Sequence, residues 1–390
     1  MPALRIAFVA PFGVRQKGTT RARVIPLAAA LAARGHTVRV VVPAWDSPVD
    51  WGRVERVGQA EIVHLPTRPV RSPEYSPAIL AQTWCAVADW RPDVLHCFKP
   101  IGYSGAVALL VARTGHARRK ATLVAVDADD LEGSSGWARR SGRPWWQAAL
   151  LDLQERRTLC AAALVTVASQ YLLRRAAAWG VEPRRLHYLP NAVNLPHGPT
   201  TSARPLRAGP PKLLLYTRFN EFSLRRGVDA IGRVLSCLDT ALLTVVGDGP
   251  QRAAFERLVL GRPWASRVRF AGFLEGRDLA VALSDADVAI WLFDDTPINR
   301  ARSPVKLLEL LAVGVPVVAE AVGEVAALAG ARLQLVAPGN AQALTTAVAT
   351  LALGAARQPA QAMRAQERAS RTPTWEARAE ALEQRYLSCT

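Results

Sequence analysis

Residues Asn299 to Glu320 read NRARSPVKLLELLAVGVPVVAE, and this stretch decides how the rest of the chain is read. A basic irregular run (Asn299, Arg300, Arg302) meets Ser303-Pro304. A compact apolar segment with one lysine and one glutamate follows, then Gly-Val-Pro and the β-type run VVAE. Ser is a favoured N-cap, and Pro suits a first helical turn because its missing N–H would be unpaired there anyway. The spacing predicts a helix opening at Ser303-Pro304 and an apolar strand directly after it. Lys306 falls in the first turn, where a cation opposes the helix dipole unless an anion compensates. Glu309 lies three residues on, on the same face, and can accept hydrogen bonds from a hydroxylated group such as ribose. The plainer reading is a surface Lys–Glu pair on an ordinary capped helix.

Outward from this stretch the same alternation repeats. KLLLYTRF, ALLTVVGDGP, RVRFAGF and ADVAIWLF precede it, each separated from the next by a helical segment, and ARLQLVAPG follows it. Upstream, LRIAFVA, TVRVVVP, EIVHLP, DVLHCF, TLVAVD and ALVTVAS form a second series. Strands apolar throughout, alternating with helices, indicate parallel sheets covered on both faces. LPHGPTTSARPLRAGPP (195–211) is the clearest linker. The expected fold class is α/β: two doubly wound Rossmann-like domains facing a central cleft, with ligands outside the carboxyl ends of the strands. The expected boundaries are 1–195, a linker over 196–211, 212–370, and a C-terminal helix within 371–390.

The 390 residues are half hydrophobic, so a sizeable core in two domains is available. A formal net charge of +17 suits nucleic acid, anionic lipid or phosphorylated ligands. Lysine occurs only at Lys17, Lys99, Lys120, Lys212 and Lys306, so the charge is nearly all arginine, which a compositional bias explains equally well. The sequence has no RNP, KH or zinc pattern and its arginines are spread along the chain, which argues against a nucleic-acid partner. The five cysteines are scattered without CxxC spacing, and the six histidines include no HxxxH pair. Neither a disulfide framework nor a zinc site is supported, and a reducing cytoplasm fits best. The opening LRIAFVA reads as a strand rather than a signal peptide. No apolar run reaches the ~18 residues of a spanning helix.

Several loops carry residues suited to chemistry. Arg218 directly follows KLLLYT, and Arg225-Arg226-Gly227 opens the next helix. Gly247 and Gly249 flank Asp248 after the second strand of the same series, where glycine permits close backbone approach to a ligand, or simply a turn. Lys17-Gly18-Thr19-Thr20 sits between strand and helix and could form a backbone nest around phosphate. In DADDLEG, Asp127, Asp129, Asp130 and Glu132 follow TLVAV. They read as a solvated or capping loop, as acceptors for sugar hydroxyls, or as a metal-binding DxD. WARRSGRPWWQAALLDLQERR (Trp137 to Arg157) sets arginines beside three tryptophans. It reads either as a core-packed helix with a solvated basic loop or as an interfacial membrane element.

Taken in order, these pieces resemble the retaining glycosyltransferases of family 4, which have the GT-B architecture. The resemblance rests on RIAFVAP with KGTTRARVIPLAAALAARGHTVRVVVP, then PDVLHCFKP, LPNAV, VVGDGP, RVRFAGF, DADVAI and the segment from Ser303 to Glu324. It implies transfer of a hexosyl group from a nucleotide diphosphate sugar to a hydroxyl acceptor, a glycan, glycolipid or lipid-linked sugar, without cofactor or metal. Gly18 and Thr19 would then face the donor phosphates. Arg218, Arg226 and Lys306 would neutralise the diphosphate, with Ser303, Pro304 and Val305 beside it. Glu309 matches the second glutamate of the family's E-x7-E motif, while Ala301 stands where the first would be. Asp129 and Asp130 occupy the place of a frequent His-Asp and would contact acceptor or donor sugar. The C-terminal helix around Trp375 would cross back onto the first domain. An anionic surface on the inner face of a membrane is the further partner this reading allows. The alternative is a GT-B scaffold without the first glutamate that acts as a ligand- or partner-binding module.

Overall fold

The apolar runs assemble into two separate, mainly parallel sheets. The computed structural model describes residues 2–15, 18–67, 76–114, 122–193, 209–328, 333–354 and 373–389. Two units result: Met1–Ala192 with Ala301–Ser303 and Pro373–Thr390, and Val193–Arg300 with Pro304–Thr372. Of the expected linker, 196–208 lies outside the described residues.

The first unit holds β1 (Arg5–Val9), β2 (Thr37–Pro43), β3 (Val54–Val57), β4 (Ala60–Leu65), β5 (Val94–Phe98), β6 (Leu123–Ala128), β7 (Leu164–Val167) and β8 (Leu186–Tyr188). Their order is β3-β4-β2-β1-β5-β6-β7-β8, parallel except for the β3–β4 hairpin. In register, Ile6 of β1 faces Val38 of β2 on one side and Val94 of β5 on the other. Strand order reverses between β1 and β5, the place where doubly wound sheets open for a ligand. Ile6, Phe8 and Phe98 pack on one face against the Ile25–Ala33 and Trp375–Cys389 helices. Val9, Val41 and Leu95 pack on the other against the Pro77–Trp90, Gly102–Thr114 and Trp145–Ala161 helices.

The Trp375–Cys389 helix is bound to this unit by more than its apolar side. Trp375 and Tyr386 are fully buried. The Glu383 carboxylate accepts from Arg34 Nε at 2.6 Å and pairs with His36 Nε2 at 3.0 Å. His36 Nδ1 accepts the Leu4 amide, so Nε2 carries the proton that Glu383 receives.

The second unit has β9 (Lys212–Tyr216), β10 (Leu242–Val246), β11 (Val268–Gly272), β12 (Val288–Trp291), β13 (Val317–Glu320) and β14 (Leu333–Val336) in the order β11-β10-β9-β12-β13-β14. Its strand order reverses between β9 and β12. Alternate residues of β9 supply opposite faces of the core, Leu213 and Leu215 to one and Leu214 to the other. Among the described residues, no helix is long and apolar enough to cross a membrane.

Candidate functional site

The loop after β9 is organised by one buried carboxylate. Glu221 accepts the Thr217 hydroxyl at 2.8 Å and the Arg218 and Asn220 amides at 3.1 and 3.0 Å. This turn forces Phe219 into the left-handed region (φ 62°), a conformation costly for a bulky residue. The buried Phe219 ring packs on Phe255, 5.4 Å between centroids, and holds it there. Arg218 is thereby fixed through its backbone while its side chain is exposed. Among the described residues its guanidinium forms no ion pair.

Gly247 and Gly249 serve this same loop. A β-carbon on Gly247 would lie 1.8 Å from the Thr217 carbonyl oxygen, and one on Gly249 2.1 Å from that of Arg218. The close approach these glycines permit is therefore of one backbone to another. Gly247 also has φ 126°, which disfavours any side chain. Gly247→Ala is expected to cost about 2–3 kcal/mol in urea unfolding, with Gly261→Ala, which meets nothing within 4 Å, as a near-neutral control.

Arg226 departs from the sequence expectation. Its guanidinium is clamped on Glu320 at 2.5 and 2.9 Å and also pairs with Asp294. Glu320 additionally accepts the Phe293 and Gly339 amides. Burial would lower the Arg226 pKa, but these carboxylates raise it. Two carboxylates already neutralise Arg226, so its role here is to join the ends of β12 and β13.

The stretch after Asn299 also differs from expectation. Pro297–Ala301 is a short helix rather than an irregular run, with Arg300 bidentate on Asp295. Ala301 is fully buried in the apolar core of the first unit, where a glutamate would be costly. Ser303 is not the N-cap. Its Oγ accepts the Asn191 amide at 2.9 Å, and its carbonyl accepts Asn191 Nδ2 at 2.8 Å. Pro304 takes the cap position, and the Val305–Val313 helix begins without a side-chain cap. Lys306 and Glu309 do not form a simple surface pair, because both meet Tyr216 at the end of β9. Lys306 Nζ lies 4.4 Å over the Tyr216 ring. Burial pushes the Tyr216 hydroxyl up, with the Glu309 charge beside it adding to the rise, and burial also pushes the Glu309 carboxyl up, against the pull of Tyr216 and Lys306.

In the first unit, Gly18 is exposed and Thr19 donates to Asp129 at 2.8 Å; Lys17 lies outside the described residues. Asp129, Asp130 and Glu132 place carboxylate oxygens within 4.8 Å of one another. Lys99 fills that space, 3.2 Å from Asp129 and 3.0 Å from Asp130, and hydrogen-bonds Glu132. Burial alone would pull the Lys99 ammonium down, but the three carboxylates raise it well above its ordinary value. A cation is thus already built into the acidic loop. Lys99 holds φ 65° at the end of β5, a strained position whose purpose is visible only when β5 and β6 are side by side.

Asp127 is occupied differently. It is fully buried and receives Arg23 Nε at 2.9 Å and Nη2 at 2.6 Å. Arg23 reaches inward from the π-helical turn Thr20–Val24 and also donates to Asn191 Oδ1 and the Leu189 carbonyl. Thr166 donates to Asp127 at 2.5 Å and receives His96 Nε2 at 3.1 Å, while His96 Nδ1 receives the Tyr386 hydroxyl at 2.6 Å. Burial, helped by Arg23, pushes His96 down to about 3, so it stays neutral in this chain of bonds. Asp127 and Asp129, the ends of the DxD reading, are each committed to an internal cation.

Glu155, behind this cluster, is buried, with Oε2 3.9 Å from Arg175. Burial pushes its carboxyl up to about 8, against the pull of Arg175. Between the ordinary 4.5 and about 8 the folded chain keeps a proton that the unfolded chain has lost, so stability falls as pH rises through that window. Glu155→Gln is expected to exceed wild type by about 4 kcal/mol at pH 8 and to match it near pH 4.5, read by urea unfolding at both pH values.

The fold, with two doubly wound sheets that each have a switch point, recurs in solved structures. Sucrose-phosphate synthase from Thermosynechococcus elongatus superposes with a TM-score of 0.74 at 22% identity, covering 99% of this chain and 98% of that one. The catalytic domain of starch synthase IV from Arabidopsis thaliana, bound to ADP and acarbose, gives 0.74 at 13%, covering 100% and 99%. Anabaena HepE in complex with UDP gives 0.69 at 14%, covering 99% and 100%. The fold is therefore that of the GT-B glycosyltransferases.

The Glycosyl transferase 4-like domain model matches residues 18–192, and the Glycosyl transferases group 1 model matches residues 210–353. A phosphatidyl-myo-inositol mannosyltransferase of Mycobacterium leprae (strain TN) is 27% identical over 331 residues, 81% of this chain and 78% of its own length. The chain is a glycosyltransferase and belongs to family 4.

Proposed function

We propose that this glycosyltransferase moves a hexosyl group from a nucleotide diphosphate sugar to an acceptor hydroxyl, with retention at the anomeric carbon and without a metal. The observation that carries this reading is Arg218, whose exposed guanidinium forms no ion pair among the described residues and whose backbone is held by the Glu221 turn at the end of β9. Charge developing on the leaving diphosphate would be stabilised by Arg218, by Lys306 and by the first turn of the Val305–Val313 helix. Arg226 contributes by fixing the loop ends, not by meeting phosphate. Glu309, with Tyr216 beside it, would accept the ribose hydroxyls. Solved relatives with UDP and UDP-glucose support a nucleotide-sugar donor. Lys99 supports the metal-free reading, since it supplies the positive charge that the acidic loop would otherwise seek. Asp129 and Asp130 would receive hydroxyls of the acceptor, whose class is a glycan, glycolipid or lipid-linked sugar.

The test is a melting-temperature screen of UDP-, GDP- and ADP-sugars in EDTA, because a ligand of the folded state stabilises it by mass action. One donor family is expected to raise the melting temperature of wild type and not of Arg218→Ala or Glu309→Ala. A shift that requires added divalent cation would contradict the metal-free reading. No shift with any donor would favour a binding module that has lost this chemistry, with Ala301 as its mark.

A further inference from the structure

We propose that the Trp145–Ala161 helix and the turn before it form a docking surface for an anionic phospholipid bilayer. The helix is apolar on both sides. Its inner side, including Ala148, Leu151 and Leu159, is buried. Its outer side should be polar on a water-exposed helix, yet Trp145 is 81% exposed, Trp146 50%, Leu150 49% and Leu153 44%. At 100° per residue these four fall within a 140° arc facing away from the core. Grouped apolar side chains on one exposed face mark an interaction surface rather than scattered surface residues.

Charge selects the occupant. Arg139 and Arg140 before the helix, and Arg156 and Arg157 on its outer face, are all exposed. Of the two carboxylates of the helix, Glu155 is buried, and Asp152, at the edge of this face, is paired with Arg175 and accepts the Ser134 amide. The exposed charge of the segment is therefore of one sign around two tryptophans. Trp favours the water–lipid boundary, arginine the phosphate headgroups, and leucine the acyl chains beneath. The chain's +17 charge adds long-range attraction to the same surface. The proposal does not depend on the glycosyl-transfer reading.

The test is flotation of the full chain with vesicles of phosphatidylglycerol mixed with phosphatidylcholine, and of phosphatidylcholine alone, at low and high salt. Wild type is expected to float with the anionic vesicles at low salt and to be released by high salt. Trp145→Ser/Trp146→Ser is expected to weaken partitioning at least about tenfold, and Arg156→Gln/Arg157→Gln about tenfold or more. The side chains are exposed, so donor-induced melting shifts should be kept in both variants, which separates loss of docking from loss of the donor site. Failure of wild type to bind anionic vesicles, or equal binding by both variants, would overturn the proposal. So would a wild-type dimer, by light scattering, that the tryptophan variant converts to monomer, since the face would then belong to a second copy.

Discussion

Arg218→Ala is expected to lower kcat by about 10²–10³ at saturating donor while leaving the melting temperature of the free protein unchanged. The side chain is exposed and makes no ion pair among the described residues, so its removal leaves no buried carboxylate behind. Arg226→Ala should behave in the opposite way. It strips the partner from Glu320, whose side chain is 3% exposed, and so should destabilise the second unit before any effect on rate is considered. Initial rates and urea unfolding of the two variants side by side separate a charge that meets substrate from one that holds loops together. Equal effects of both variants on stability would remove Arg218 from the site.

Arg23→Met is expected to cost about 3–5 kcal/mol, because it leaves the fully buried Asp127 carboxylate without its bidentate partner. The loss should spread along the bonds through Thr166, His96 and Tyr386, loosening the C-terminal helix. Arg23→Met/Asp127→Leu should recover part of the stability, since replacing both charges removes the unpaired one. Urea unfolding of the single and double variants measures both terms. Equal losses in both would mean that packing of the arginine stem, not the ion pair, sets the cost.

The fold was legible because its strands are apolar throughout and its helices intervene at regular intervals, a period that only covered parallel sheets produce. The β3–β4 hairpin was missed, although VERVGQAEIVHL carries two short β-runs around Gly58, which has φ 59°. In the candidate site, the exposure of Arg218 could be read from its position at a strand end. The roles of Arg226 and Ser303 could not, because their partners Glu320 and Asn191 stand 94 and 112 residues away. Glu320 left one trace, a carboxylate closing the otherwise apolar run VVAE. Lys99 left less, since nothing in FKP announces that β6 will bring three carboxylates around it. The glycines of VVGDGP were correctly placed in a strand-end loop, but what they approach is the backbone of Thr217 and Arg218.

The most direct measurement is a proton NMR time course of transfer in EDTA, using the α-linked nucleotide sugar selected by the melting screen and following the anomeric signal of the product. The expected result is steady formation of an α-linked product without added metal, slowed about 10²–10³-fold by Arg218→Ala. A β-linked product, or turnover that appears only when a divalent cation is restored, would contradict the account of a retaining transferase whose site carries its own positive charge.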